Sequence, residues 1–277
     1  FPVGQNQDGI GVRPNWKVRV FPYLEMGTVY NALFAGTTNP NMLSTASDVV
    51  LKNQAFPAWK CPSSSLPDFY TDTGAGTYGT SFSNTFNGIG GRGHQIAAYI
   101  GICGATPDPG GNSGRVATNG GYGFVADNGM LLCDESTTLT ACTDGTSNTM
   151  LVGEQSGKWG TYDNRSRYFS AWGGHSIRSG TAAGTYTVKW MIATAPAGPN
   201  HDYYGNGTTT MRWLPNSATG SGADYPHSMN TTLNSFHVGG VNILLADGAV
   251  RWLSDNVTSA TLLRLCARDD GHVISDF

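Results

Sequence analysis

Apolar positions along the chain fall into short, separated runs rather than one long periodic block. The most regular pattern lies at 234–256, NSFHVGGVNILLADGAVRWLSDN. Val241, Ile243, Leu244 and Leu245 form one run, Ala249, Val250, Trp252 and Leu253 a second, and Asp247-Gly248 stands between them. Two strand-like runs split by Asp-Gly predict a β-hairpin. Near the N-terminus, Tyr23, Leu24, Met26, Val29, Tyr30, Leu33 and Phe34 recur at roughly helical spacing. They predict a helix over 22–34 with Pro22 in its first turn. A second helix is expected over 44–54, capped by Ser44 or Ser47, with Leu43, Val50 and Leu51 facing inward. Segment 56–62 reads as extended. Strands are expected at 96–102, 129–133, 149–154 and 185–192, and the chain closes on a helix at 259–267 and a strand at 272–277. Segments 63–95 and 104–122, rich in Gly and small polar residues, read as long loops.

These elements predict an α+β, β-rich fold with an antiparallel sheet. Neither an internal repeat nor a dividing linker is visible, so the 277 residues read as one domain. Within it lie a helical part at 1–60, a loop-rich β part at 61–235, and the hairpin, helix and last strand at 236–277.

Composition sharpens the setting. Charged residues are only 13% of the chain, while Gly numbers 38. Neutral polar groups in place of Lys and Glu, with many turns, suit a secreted or surface protein. The 7 Trp, 12 Tyr and 11 Phe supply core-formers that a disordered chain lacks. Net charge is −3 and no basic block exists, which disfavours nucleic acid and anionic membrane as partners. No run of 18 apolar residues is present, so no membrane span is expected.

Candidate chemistry is sparse. His237 lies ten residues before Asp247, a candidate acid–base or metal pair; two ligands are too few for a transition-metal site. The structural alternative has His237 packing a turn and Asp247 bonding backbone N–H groups beside Gly248. Asp144, Ser147 and Asn148 place oxygen donors along one short loop, in the manner of calcium loops but without the EF-hand pattern. Of the five cysteines, Cys61, Cys103, Cys133, Cys142 and Cys266, none sits in a CxxC pair. Cys133 and Cys142 flank a polar loop, a spacing that suits a disulfide in an oxidising compartment. The rings Trp159, Tyr162, Trp172, Trp190, Tyr203, Tyr204 and Trp213 could form a glycan-binding face, or fill core and subunit contacts. Histidines and acids occur in unrelated contexts, and no nucleophile elbow or dinucleotide fingerprint opens a helix. The expectation is a protein that is not an enzyme.

Four segments in order resemble a known family. FHVGGVNILLADGAVRWLSDNV resembles the H-x9-DG signature of secreted, pilin-like proteins abundant in planctomycete bacteria, with His237, Asp247 and Gly248 in the naming positions. The run 142–154, CTDGTSNTMLVGE, WKVRVFPYLEMGTVYNAL near the N-terminus, and the Cys-Pro-Ser segment at 61–63 match its other motifs. The resemblance implies a pilin- or pseudopilin-like head. Such proteins begin with a hydrophobic helix that this sequence lacks; Phe1-Pro2-Val3-Gly4 resembles the short segment that comes directly after that helix. By the same analogy the cofactor the resemblance implies is calcium, held in the Asp144 loop. The function it implies is a subunit of an extracellular or cell-surface filament, sheet or matrix, with copies of itself as partners. The alternative is a surface-displayed module binding glycan or another ligand, with a secreted hydrolase behind both.

Overall fold

The computed structural model describes residues 1–4, 7–8, 11–42, 44–70, 93–118, 123–133, 135–160, 163, 165–166, 170–174, 206–217, 223, 228–274 and 277. The fold is α+β. Strands β1 (Gln7–Asp8) and β2 (Gly11–Val12) form a small antiparallel pair. Helices α1 (Trp16–Arg19), α2 (Gly27–Leu33) and α3 (Thr45–Leu51) come next. After β3 (Tyr99–Ala105), strands β4 (Val116–Thr118) and β5 (Phe124–Ala126) pair with each other. Then come β6 (Met150–Glu154), β7 (Thr208–Met211), β8 (Gly240–Leu245), β9 (Val250–Ser254) and α4 (Ser259–Cys266).

The main sheet has the order β7-β3-β6-β8-β9. The sequence predicts it antiparallel, and three of its four pairings are; β3 and β7 instead run parallel. The chain crosses between those two only after β6 has been placed, so a hairpin's antiparallel geometry is not imposed on them.

Two apolar clusters lie on the two sides of this sheet. Ile100, Ile102, Val241, Leu245 and Leu253 pack with Leu262, Leu265 and Cys266 of α4. The other cluster joins Val152 and Leu151 to Trp16, Phe21, Phe56, Trp59 and Trp172. Trp172 is its hub, with ring centroids of Phe21, Phe56 and Trp59 at 5.3, 5.3 and 5.8 Å. A bulge in β6 explains why Met150 serves the first cluster while Leu151 and Val152 both serve the second. Pairing to β8 slips by one residue between Met150 and Val152. Asn15 fastens α1 in place: its side chain accepts from Lys17 N at 3.1 Å and donates to the carbonyls of Ala171 and Gly173 at 2.9 and 2.8 Å. The Trp16 indole lies across β3 at Gly101, where a Cβ would come within 2.7 Å of Nε1.

Several expected elements differ. The helix predicted over 22–34 is divided. Residues Phe21–Tyr23 form a 3-10 turn, Glu25 takes a left-handed backbone at φ 61°, and only Gly27–Leu33 is α-helical. Ser44 caps α3 as expected, its hydroxyl accepting from Ser47 N at 3.2 Å, and Leu51 is buried; Leu43 lies outside the described residues. The strand expected at 96–102 starts three residues later. At 129–133 the apolar residues are buried without forming a strand; Gly129 N and Leu131 N donate to the β3 carbonyls of Cys103 and Ile102 at 2.9 and 3.1 Å. Residues 272–274 form no strand, and the strand expected at 185–192 lies outside the described residues.

Candidate functional site

The hairpin forms as the pattern predicts. Leu244 pairs with Val250 and Asn242 with Trp252, and Gly248 turns at φ 89°. Asp247 Oδ1 accepts from Ala249 N at 2.8 Å, so its carboxylate braces the turn. Asp247 and His237 therefore do not act as a pair: one sits at the turn, the other at the opposite end of β8.

His237 has other company. Its Nε2 lies 3.4 Å from Glu154 Oε1 and 3.8 Å from Cys61 Sγ, and the ligand atoms of all three residues fall within 4.8 Å of one another. Cys61 enters from the turn after the 3-10 helix Pro57–Trp59; Ser64 Oγ donates to Ser156 O at 2.6 Å and ties that turn to the chain just beyond β6. Glu154 is the last residue of β6 and is buried. Its Oε1 accepts from Ser156 Oγ at 2.6 Å, and its Oε2 from Asn242 N and Nδ2 at 3.1 and 3.2 Å. His237 is placed by its backbone N–H donating to Ser235 Oγ at 3.1 Å and by the Trp252 ring, edge-on at 6.0 Å. Burial, then the neighbouring Glu154, pushes the Cys61 thiol up; burial likewise raises Tyr99 beside it. Thiol, imidazole and carboxylate converging on one point are donors a divalent transition metal takes.

The same trio does not have the layout of a nucleophilic triad. There the acid orients one imidazole nitrogen and the nucleophile meets the other; here both partners meet Nε2, and a thiol with raised pKa is a poor nucleophile. A second set, Ser170, His94 and Asp48, does use both nitrogens: Nδ1 faces Ser170 Oγ at 2.8 Å and Nε2 faces Asp48 Oδ1 at 3.1 Å. Its polarity is inverted, with Ser170 and His94 buried and the carboxylate nearest solvent. Burial lowers the His94 pKa despite Asp48 pulling the other way. This set holds α3 against the 170–174 turn.

Beside Glu154 opens an apolar cleft of about 540 Å³ between α1 and the face of β6, β8 and β9. Trp16, Leu24, Trp59, Tyr99, Leu244 and Val250 line it. Val250 is 69% exposed and Trp252, on the same face of β9, 42%. Phe236 and Val238 flank His237 and are exposed too, Val238 at 98%.

The remaining candidates lie elsewhere. Ser147 and Asn148 lie in a short 3-10 helix, Thr146–Asn148, just after Asp144; the Asp144 carboxylate accepts from Asp270 N and Gly271 N, and Asn148 Nδ2 donates to Asp144 O at 3.3 Å. The disulfide expected between Cys133 and Cys142 is not formed; all five cysteines are unbridged and buried. Cys142 Sγ donates to Thr149 Oγ1 at 3.0 Å, and the Cys133 thiol interacts with Cys103 instead. Of the ring-rich stretch, Trp172 is enclosed, Trp159 and Trp213 are half-buried, and Tyr162, Trp190, Tyr203 and Tyr204 lie outside the described residues. Among the described residues no helix is long and apolar enough to cross a membrane. The sequence presents Cys61 and Glu154 only as parts of motifs. The available signal is that Cys61, Glu154 and His237 lie in three separate motifs, 61–63, 142–154 and 234–256.

A family model, SBP_bac_10, described as a protein of unknown function (DUF1559), matches residues 1–259. Neither a curated protein nor a solved structure matches the chain.

Proposed function

We propose that this chain, which belongs to the DUF1559 family, is a structural subunit of an extracellular or cell-surface assembly built from copies of itself. The observation that carries this reading is the apolar face of β8 and β9. A cleft is lined by Leu24, Leu244 and Val250, and Trp252, two residues along β9 from Val250, is exposed as well. A face of this kind, next to a buried core, suits burial against a second copy. The low charge of the chain favours the same occupant, since two like surfaces then meet without strong repulsion. Resemblance to pilin-like heads supports a surface location and a filament, sheet or matrix as the product.

This reading assigns the protein no catalysis. The Cys61 thiol is pushed toward its protonated form, and Ser170 is buried behind His94. Glycan binding, the alternative, needs open ring faces; among the described rings of 159–213, Trp172 packs in the core and Trp159 and Trp213 are half-buried.

Light scattering on the purified chain over a concentration series, with electron microscopy of native material, tests the proposal. The expected result is concentration-dependent mass above one chain and ordered particles. A monomer at every concentration and in native material would overturn it.

A further inference from the structure

We propose that Cys61, Glu154 and His237 form a zinc site, with water or a further ligand completing a four-coordinate shell. The proposal stands apart from self-association, since it concerns the interior side of the loop carrying His237 and needs no second copy.

Geometry comes first. Around a tetrahedral Zn²⁺, bonds of about 2.3 Å to sulfur and about 2.0–2.1 Å to nitrogen and oxygen put S···N near about 3.6 Å and N···O near about 3.3 Å. The observed separations are 3.8 Å for Cys61 Sγ to His237 Nε2 and 3.4 Å for His237 Nε2 to Glu154 Oε1. Both partners thus approach the same nitrogen at the spacing an ion at their centre would set.

The donor set points to zinc rather than a hard cation. Calcium and magnesium take oxygen ligands, whereas thiolate and imidazole select zinc-type ions. The charge pattern also fits. Glu154 is buried, and among the described residues no lysine or arginine pairs with it; the half-buried imidazole of His237 is the basic group beside it.

The surroundings orient the ligands as supporting groups around metals do. Ser156 and Asn242 fix both Glu154 oxygens, Ser235 fixes the His237 backbone, and Trp252 walls one side of the imidazole. His237 is 31% exposed at its side chain, which leaves the ion a route in. Binding is balanced simply. The Cys61 thiol loses its proton to solvent as the Zn–S bond forms, neutral His237 offers its Nε2 lone pair, and Glu154 binds as the carboxylate. At least one proton is released per ion. The ion would clamp three segments that are remote in sequence, as a disulfide does in other folds.

The test uses the chain stripped by chelator, desalted and titrated with Zn²⁺ alone, and separately with Co²⁺. One ion per chain is expected, with proton release and a thiolate-to-cobalt charge-transfer absorption. Cys61→Ser and His237→Gln should each weaken Zn²⁺ binding at least about 100-fold, beyond the 10–100-fold typical of losing a supporting group, while Cys142→Ser leaves it unchanged. No stoichiometric ion, a cobalt complex without the thiolate band, or full affinity in Cys61→Ser would overturn the site. Should the variants not fold, the cobalt spectrum of the unaltered chain decides. Zinc binding by a strictly monomeric chain would remove the assembly reading and leave this one intact.

Discussion

Lys17 is fully buried in α1, and among the described residues its Nζ meets the Ala171 carbonyl, at 3.5 Å. Desolvation brings its pKa down from 10.5 to about 7. Between those values the unfolded chain holds a proton that the folded chain has given up, so stability rises with pH across that window. The slope is at most about 1.4 kcal/mol per pH unit; below pH 7 both states are protonated and the cost of the buried cation is fully present. Lys17→Met should therefore stabilise the protein at pH 7 by about 1–4 kcal/mol and flatten the rise. Denaturant melts of both chains at pH 7 and 9 check this; a parallel pH dependence in the two would show that Lys17 reaches water. The sequence WKVRV gives no hint of it, because a lysine between apolar residues reads as the solvent side of a strand or helix. The position is interior because α1 is docked on the 171–173 turn, through Asn15 to Ala171 O and Gly173 O and Lys17 Nζ to Ala171 O.

At the scale of elements, the legible features are the local ones. The hairpin arises from alternation plus Asp-Gly, and its turn uses both residues as their chemistry dictates. The Ser44 cap of α3 is equally local. The N-terminal helix reads too long in the sequence because apolar spacing persists through Glu25, whose positive φ breaks the ladder for tertiary reasons. The bulge in β6 is likewise invisible, since TMLVGE reads as an unbroken run. Gly248 offers a clean check of the turn. A Cβ there meets nothing within 4 Å, so Gly248→Ala feels only the backbone at φ 89°. A loss of about 1–2 kcal/mol is expected in thermal unfolding; no loss would mean the turn relaxes to another type.

For the whole molecule, the α+β class is readable in the sequence and the site is not. Cys61, Glu154 and His237 are brought together by β6 ending where the 61–64 turn and the loop before β8 both pack. Nothing in their spacing along the chain encodes that meeting. The same packing leaves the β8–β9 face between α1 and solvent uncovered, and self-association rests on that face. Val250 is its most direct probe: it is 69% exposed and lines the cleft, so a carboxylate there leaves the folded subunit intact and charges the contact. Sedimentation of Val250→Asp beside the unaltered chain is the decisive measurement. Burial of a valine is worth about 1.5 kcal/mol or more, so the variant's association should weaken at least about ten-fold with its melting unchanged. Equal association of the two chains would contradict the account.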